Sequence, residues 1–313
     1  MESDRKPVVI AIVGPTATGK TALSLAIAEQ LNAEIIACDS RTVYRHFDIG
    51  TAKPSKEEQA RIRHFGIDVA EPEESYTVAQ FAEHGRAAIA DMSARGKLPL
   101  VTGGTGFYAR ALLEGLSMPT VAPQEELRAQ LRQLAQDSGA QELHARLEKV
   151  DPQSAARLNP NDVFRIVRAL EVFAVTGIPF SQAATRIDPP YRTIWVGLTA
   201  NDRSLLHKSI ERRFYEQLEA GLMEETQALY SRYGAHQKLM HTVNYKQLVQ
   251  LIEGAVDQET AYKAAVHHNI QLARRQLIWF RANQAIAWFA IDALSQAALH
   301  KTISSHIKDA LNK

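Results

Sequence analysis

Short apolar runs alternate along this chain with longer amphipathic segments. Residues 7–13 read PVVIAIV, a run rich in β-branched side chains that is typical of a strand buried in a parallel sheet. Residues 21–31 then place apolar side chains at helical spacing. Similar strand-like runs follow at residues 34–38, 65–69, 98–102 and 193–198. A helical pattern at residues 78–95 lies between two of them, and this alternation predicts an α/β fold with a parallel sheet flanked by helices.

The pattern changes in the middle of the chain. Residues 117–192 show helical periodicity and proline-containing breaks, but no strand-like run. Because the strand-like pattern resumes at residue 193, we predict an all-helical domain inserted into a core made of residues 1–116 and 193–313. The alternatives are a helical lid and a set of ordinary connecting helices. The second part of the core is predicted to be mostly helical.

The composition excludes several classes of protein. The 313 residues are 45% apolar and 23% charged, which is ordinary for a globular protein, and no apolar stretch is long enough to span a membrane. The N-terminal residues lack the pattern of a secretory signal. The one cysteine, Cys38, cannot form an internal disulfide or a cysteine-based zinc site, so we expect a soluble, cytoplasmic protein. A net charge of +1 neither requires nor excludes a nucleic-acid partner.

The turn after the first predicted strand matches a phosphate-binding loop. It reads GPTATGKT and fits G-x-x-x-x-G-K-S/T at every fixed position. The glycines let successive N–H groups point inward, and the following helix adds its positive N-terminal end. Lys20 supplies a cation for phosphate oxygens, and Thr21 a hydroxyl for Mg²⁺. The predicted phosphate site comprises Gly14, Pro15, Thr16, Ala17, Thr18, Gly19, Lys20 and Thr21.

Two features disfavour a standard ATPase or GTPase. In those proteins a second apolar strand typically ends in an aspartate that helps to hold Mg²⁺. Here the strand-like run at residues 98–102 is followed by G-G-T-G, and no guanine-reading N-K-x-D is present. The loop therefore predicts a phosphorylated ligand without identifying it.

Several segments together resemble one family, the tRNA dimethylallyltransferases, also called tRNA isopentenyltransferases. The phosphate loop is similar to the family's G-P-T-A-S/T-G-K-S/T. The other similar segments are D-S-R-T-V-Y at residues 39–44, D-I-G-T-A-K-P at 48–54, G-G-T-G-F-Y at 103–108, N-D-V-F-R-I-V-R-A-L-E at 161–171, E-R-R-F at 211–214 and R-R-Q-L-I-W-F-R at 274–281. Their number and order make the joint resemblance specific.

The resemblance implies both a reaction and an architecture. It implies transfer of a dimethylallyl group from dimethylallyl pyrophosphate to N6 of adenine 37 in tRNA, with release of pyrophosphate. It also implies a P-loop core whose inserted helical domain grips the anticodon arm, with Mg²⁺ as the cofactor. We expect a monomer that needs no membrane.

The resemblance assigns catalytic roles to three residues. Asp39, which follows a predicted strand beside the P-loop strand, is implied to be the general base for N6; its alternatives are a turn cap or a water-mediated Mg²⁺ ligand. Thr105 is implied to donate a hydrogen bond to the bridging oxygen, the alternative being a plain glycine-rich turn. Arg213 is implied to bind the phosphates, the alternative being a solvated arginine.

The resemblance also implies a set of RNA contacts. They comprise Asp39, Ser40, Arg41, Thr42 and Thr105 in the core, and Phe164, Arg165, Ile166, Val167 and Arg168 in the insertion. Arg165 and Arg168 lie on one helical face, and ion pairs with Asp162 and Glu171 are the alternative for them. Thr42 stands where the family commonly has Gln. Asn244 stands where the family has Gly, and we expect it to keep a positive φ.

Two rival functions share many of these features. A P-loop kinase would also use Lys20, Thr21 and a nearby aspartate, but it would turn over ATP. A prenyltransferase that acts on free adenine nucleotides would not need the helical insertion. A non-enzymatic RNA-binding module is disfavoured by the intact P-loop together with Asp39.

Overall fold

The structure is a computed structural model that describes residues 6–116, 119, 121–184 and 188–313. The chain divides into two compact units: unit 1 comprises Met1–Leu113 and Pro190–Lys313, and unit 2 comprises Glu114–Pro189. The domain boundary predicted at Ser117 lies outside the described residues. The boundary predicted at residue 192 falls shortly after Pro190, where unit 1 resumes.

Unit 1 is built on a parallel sheet. Its strands in the described part of the chain are β1 (Val8–Val13), β2 (Ala33–Ala37), β3 (His64–Phe65), β4 (Leu98–Gly103), β5 (Arg192–Thr199) and β6 (Ala287–Ala290). They lie in the order β3-β2-β4-β1-β5-β6, and every neighbouring pair is parallel. The predicted α/β class is confirmed.

Helices follow the strands of unit 1 and make up the named elements of unit 2 in the part of the chain that is described. Unit 1 begins with α1 (Lys20–Leu31), α2 (Lys56–Arg61), α3 (Val78–Ala94) and α4 (Gly106–Leu113). Unit 2 contains α5 (Glu125–Asp137), α6 (Ala140–Val150), α7 (Pro152–Ala155), α8 (Val163–Thr176) and α9 (Phe180–Ala183). Unit 1 then continues with α10 (Arg203–Glu219), α11 (Leu222–Tyr233), α12 (Gln237–Met240), α13 (Tyr245–Ile252), α14 (Gln258–Arg281) and α15 (Gln296–Leu311). None of these helices is both long and apolar enough to cross a bilayer.

The central strand, β1, is apolar on both sides because helices cover both faces of the sheet. Ile10 and Ile12 belong to a core cluster with side chains of α1 and α15. Val9, Ala11 and Val13 belong to a second cluster with side chains of α3, α4 and the helices after β5. Successive residues of a strand point to opposite faces, so this division follows directly from the continuous apolar run.

Two strands differ from the sequence-based expectation. The run predicted at residues 65–69 is a strand only at His64–Phe65, because Gly66 and Asp68 adopt positive φ values of 77° and 54° and leave the extended region. The strand Ala287–Ala290 was not predicted. It has four residues, all partly buried at the sheet edge, and follows a long helix, so its pattern was too short to read.

The topology brings three loops to one edge of the sheet. Strands β1, β2 and β4 are neighbours, with Val13 paired to Gly103 and Ala37 paired to Thr102 near their carboxyl ends. The segments that leave these ends are the phosphate loop, the segment that begins at Cys38, and the turn that contains Thr105. Ligands of open α/β sheets bind at this edge.

Unit 2 has its own apolar core. It is formed mainly by Leu143, Leu147, Ile166, Val167 and Leu170 from α6 and α8. The same unit contains a buried, fully hydrogen-bonded carboxylate. Asp151 accepts hydrogen bonds from the backbone N–H and the hydroxyl of both Ser154 and Ser181. Because unit 2 buries an apolar core of its own, it has the anatomy of a domain.

Candidate active site

The phosphate loop is held in a conformation that its sequence permits. Gly14 has φ 140°, and a Cβ there would lie 2.4 Å from the carbonyl oxygen of Leu198 in β5. Ala17 and Gly19 also have positive φ, at 62° and 79°. The N-cap of α1 makes no side-chain capping hydrogen bond, so the N–H groups of its first turn are left for another acceptor. This is the geometry of an anion-binding helix terminus.

Two cations converge on this loop. Burial, followed by the nearby positive charge of Arg213, lowers the pKa of Lys20 to about 7, and Asp39 opposes the shift. Burial likewise lowers the pKa of Arg213, although Asp39 and Glu216 oppose it. Arg213 donates from Nη1 to Thr16 Oγ1 at 2.9 Å, and Lys20 donates from Nζ to the Pro15 carbonyl at 2.6 Å. Neither cation lies within ion-pair distance of a described carboxylate, although Asp39 is near enough to favour the charged form of both.

Asp39 lies just beyond β2. Its Oδ1 accepts a hydrogen bond from the backbone N–H of Arg41 at 2.7 Å, which turns the chain and fixes the carboxylate. The Arg41 side chain donates from Nη2 to the His241 carbonyl at 3.2 Å. Thr42 is buried, and its Oγ1 has no hydrogen-bond partner among the described residues. The segment therefore presents one carboxylate on a rigid turn.

The turn after β4 is packed closely on three sides. A Cβ on Gly103 would lie 2.1 Å from the Cys38 carbonyl oxygen, one on Gly104 2.2 Å from Gln276 Nε2, and one on Gly106 2.0 Å from Trp279 Cδ1. Because any side chain at these three positions would clash, only glycine lets Cys38, Gln276 and Trp279 pack against this turn. Between them, Thr105 Oγ1 accepts a hydrogen bond from the Ser40 N–H at 3.0 Å, so Thr105 is tied to the segment that carries Asp39.

The loop at residues 48–54 is anchored by a residue that the sequence did not single out. The Glu225 carboxylate accepts hydrogen bonds from the backbone N–H groups of Asp48, Ile49 and Gly50 and from the Tyr245 hydroxyl. No motif marks Glu225, because its role depends on the approach of α11 to a loop far away in the chain. As expected, Asn244 has a positive φ, at 77°.

These elements surround one cavity of about 780 Å³. Its lining includes Thr16, Ala17, Thr18, Gly19, Lys20, Thr21, Asp39, Ser40, Arg41, Thr42, Thr105 and Arg213. Gly14 and Pro15, the first two residues of the phosphate loop, are not part of the lining. Among its lining groups are the Asp39 carboxylate, the Lys20 and Arg213 cations and the Thr105 hydroxyl, beside the uncapped N-terminus of α1. This set can bind a polyphosphate and accept a proton from a second substrate.

The predicted RNA contacts of the insertion lie on α8 in unit 2. Phe164 is 76% exposed, and Arg165 is exposed while it pairs with Asp162 at 3.2 Å. The side chains of Ile166 and Val167 are buried in the core of unit 2. Arg168 donates to the buried carboxylate of Glu171 at 2.5 Å and to two backbone carbonyls. We therefore narrow the predicted RNA-contacting side chains of this helix to Phe164 and Arg165.

A divalent cation would find few protein ligands here. Within the described residues there is no group of three or more His, Cys, Asp or Glu side chains that could hold a metal. Thr21, in the first turn of α1, lines the cavity and is exposed to it. A single hydroxyl next to a phosphate site fits Mg²⁺, which usually binds through few protein ligands, water and substrate phosphates.

Comparison with known proteins finds the same family by sequence and by structure. A family model described as IPP transferase matches residues 42–283, and one described as isopentenyl transferase matches residues 7–71. A tRNA dimethylallyltransferase from Cyanothece sp. is 45% identical over 285 residues, which cover 91% of this chain and 93% of that protein. The tRNA dimethylallyltransferase from Symbiobacterium thermophilum is 44% identical, with 90% and 88% covered.

Solved structures agree with these sequence matches. The full-length tRNA isopentenylpyrophosphate transferase from Bacillus halodurans is 34% identical and has a TM-score of 0.71, with 97% of this chain and 98% of that chain covered. A eukaryotic dimethylallyltransferase acting on tRNA is 25% identical with a TM-score of 0.79, over 96% of this chain and 77% of that chain. The likeness therefore extends over both units.

Proposed function

The chain belongs to the IPP transferase family, and from this premise we propose that it transfers a dimethylallyl group from dimethylallyl pyrophosphate to N6 of adenine 37 in tRNA. The products are N6-dimethylallyladenosine and pyrophosphate. One observation carries the proposal: the Asp39 carboxylate lines the same cavity as Lys20 of the phosphate loop and Arg213 of α10. A proton acceptor and an anion site at one point are what this alkyl transfer requires.

Asp39 acts as the general base. The lone pair of adenine N6 is delocalised into the ring, so N6 becomes a better nucleophile as it loses a proton. The bond from N6 to C1 of the allyl group forms while the bond from C1 to the bridging oxygen breaks, and the proton of N6 passes to Asp39. The hydrogen bond from the Arg41 N–H holds the carboxylate in place for this step.

The phosphate loop stabilises the leaving group. Negative charge collects on the pyrophosphate as the bond to carbon breaks, and groups aimed at that charge lower the barrier. Lys20, Arg213 and the N–H groups of α1 bind the phosphates, while Thr105 donates its hydroxyl proton to the bridging oxygen. Thr105 Oγ1 accepts from the Ser40 N–H at 3.0 Å and donates over a long 3.5 Å to Ser40 Oγ, so its hydroxyl exchanges that weak contact for the bridging oxygen.

Thr21 would hold Mg²⁺ together with phosphate oxygens. The metal supplies charge stabilisation to the pyrophosphate when it is bound.

The acceptor tRNA binds through unit 2, where Phe164 and Arg165 are exposed. Adenine 37 reaches the cavity from a single-stranded loop, so its extrusion costs little. We further propose a monomeric, cytoplasmic enzyme.

The test is a product assay with unmodified tRNA that carries A36, A37 and A38, together with dimethylallyl pyrophosphate and Mg²⁺. We expect N6-dimethylallyladenosine after digestion of the RNA. Prenylated free nucleotides without tRNA product would favour the free-nucleotide prenyltransferase, and ATP turnover would favour a kinase. Either result in place of the tRNA product contradicts the proposal.

The role of Asp39 is tested in the same assay. The Asp39→Ala variant should lose turnover by about 10²- to 10⁴-fold, because general-base catalysis contributes on that scale, with little loss of tRNA affinity. The exposed Asp309 on α15 provides a matched control, since Asp309→Ala should leave both unchanged. A variant of Asp39 that turns over normally but binds tRNA weakly would contradict the assignment.

A further inference from the structure

A glutamine on the long helix α14 reaches the phosphate loop. The Oε1 of Gln276 accepts a hydrogen bond from the backbone N–H of Thr16 at 2.8 Å. The two residues are 260 positions apart in the chain, so the contact depends on the fold and not on a local turn. Gln276 lines the cavity together with Lys20 and Thr105.

The orientation of this side-chain amide is fixed by its partner. A backbone N–H can only donate, so the atom that faces Thr16 must be the oxygen. The amide nitrogen therefore faces the other way, toward the turn after β4. There, a Cβ on Gly104 would lie only 2.2 Å from Nε2 and 3.0 Å from Cδ. Gln276 thus fills the space between the phosphate loop and that turn.

The same face of α14 also packs against Gly106, the residue that follows Thr105. Trp279 follows Gln276 by three residues, the spacing at which helical side chains are neighbours. A Cβ on Gly106 would lie 2.0 Å from Trp279 Cδ1, and the Trp279 ring meets the Phe107 ring edge-on at 6.2 Å. Gln276 and Trp279 therefore flank Thr105 through the glycines before and after it.

We propose that Gln276 is a positioning residue that sets the phosphate loop and Thr105 at the distance that the departing pyrophosphate requires. This inference rests on the proposed function and extends that function by assigning a role to α14. The P-loop binds the phosphates from one side, and Thr105 meets the bridging oxygen from the other. A shared side chain between them keeps both sets of donors aligned as the bond breaks, and such alignment governs the rate.

The first test is kinetic and uses Gln276→Met, which keeps the length of the side chain and removes its hydrogen bond. We expect kcat to fall by about 10- to 100-fold, the scale of a small misplacement, while KM for dimethylallyl pyrophosphate changes much less. Gln271, on the same helix, bonds to His267 and does not line the cavity, so Gln271→Met is the matched control and should keep wild-type kinetics. Wild-type kcat in Gln276→Met, or an equal loss in Gln271→Met, would overturn the proposal.

The second test asks whether Gln276 acts through Thr105. In a Thr105→Ala background, the further loss of kcat on Gln276→Met should be much smaller than in the wild type, because the donor that Gln276 positions is already gone. Fully multiplicative losses would mean that Gln276 acts independently of Thr105, and the proposal would be wrong. A purely structural glutamine would give that multiplicative result.

A third measurement does not depend on activity. Hydrogen exchange of backbone amides should become faster in residues 14–21 and 103–106 of Gln276→Met, and not in Gln271→Met, if Gln276 joins the two segments. Unchanged exchange would overturn the proposal. If the wild-type protein forms no prenylated tRNA, the proposed function fails, and the exchange data alone then decide whether Gln276 links the loop to the turn.

Discussion

Partly buried arginines occur in both units, but they are satisfied in different ways. In unit 1, Arg213 donates to the Thr16 hydroxyl and forms no ion pair with a described carboxylate, and burial lowers its pKa. In unit 2, Arg128 and Arg168 both donate to Glu171, whose side chain is fully buried, and Arg168 also donates to two backbone carbonyls. Arg213 thus has carboxylates near it, but none of the described ones lies within ion-pair distance, whereas Arg168 pairs with Glu171 and Arg128 pairs with both Glu171 and Glu125.

The difference separates a ligand site from a structural cluster. A partly desolvated cation that no carboxylate pairs with directly is costly, so its retention points to an anion that binds there. A carboxylate shared by two arginines has its hydrogen-bonding capacity filled and needs no ligand. From the sequence, Arg213 is predicted to bind phosphates and Arg168 to contact RNA, with a solvated arginine and an ion pair as the respective alternatives. Only the tertiary partners distinguish them.

The largest expected effect is on catalysis, at Arg213 in unit 1. Arg213→Gln should lower kcat/KM by about 10²- to 10³-fold, or ~3–4 kcal/mol, because it removes a cation aimed at the leaving group. Its melting temperature should stay the same or rise, since no ion pair is lost and a desolvated charge is removed. Steady-state kinetics and thermal unfolding test this. A marked loss of stability with normal kinetics would break the comparison.

At the Glu171 cluster of unit 2, we expect a substitution to lower stability rather than to remove a group that acts on the substrate. Glu171→Gln removes the carboxylate that Arg128 and Arg168 share and should lower the free energy of unfolding of unit 2 by about 2–3 kcal/mol. This is below the full cost of breaking a buried pair, because both arginines are partly exposed and Arg128 keeps its pair with Glu125. Unit 2 contains neither Trp nor Tyr, so local hydrogen exchange in residues 114–189 is the suitable measurement. Unchanged protection there would show that the cluster contributes nothing.

The same variant sharpens the comparison through pH. Burial alone would raise the pKa of Glu171, but hydrogen bonds from Arg128, the Gln124 N–H and Arg168 outweigh it, so the pKa lies below its usual 4.5. A carboxyl group whose pKa is lower in the folded state stabilises the fold above its unfolded value and loses that contribution as pH falls. Protection of unit 2 should therefore fall below about pH 4.5 in the wild type. Glu171→Gln should show a flatter acid dependence.

The sequence predicted the parts of the site that sit next to strands. Asp39 and Thr105 follow β2 and β4 directly, and the phosphate loop follows β1, so one topological rule brought all three to the same edge. Gln276 and Glu225 could not be found in this way, because each acts on a loop that is distant in the chain and adjacent only in the fold.

The same limit explains the errors in secondary structure. Apolar runs at least five residues long were recognised as strands because a buried parallel strand is apolar on both faces. The edge strand Ala287–Ala290 is too short for that signal, and the predicted run at residues 65–69 is ended by positive φ values that periodicity does not report. The position of one strand at the sheet edge and the backbone angles that end the other therefore account for these two differences from the predicted strands.

The smallest effect is expected at Arg165, which lies in the region of paired charge but is itself exposed. Its pair with Asp162 is solvated and should contribute little, so Arg165→Ala should leave the stability of unit 2 within about 0.5 kcal/mol. If Arg165 contacts an RNA phosphate, tRNA affinity should fall several-fold at low salt, and the slope of log K against log salt should decrease by about one. Arg146 on α6, also exposed and paired with a glutamate on its own helix, is the matched control. An equal loss of tRNA affinity in Arg146→Ala would mean that the effect is one of net charge, and Arg165 would then belong with the structural arginines of unit 2.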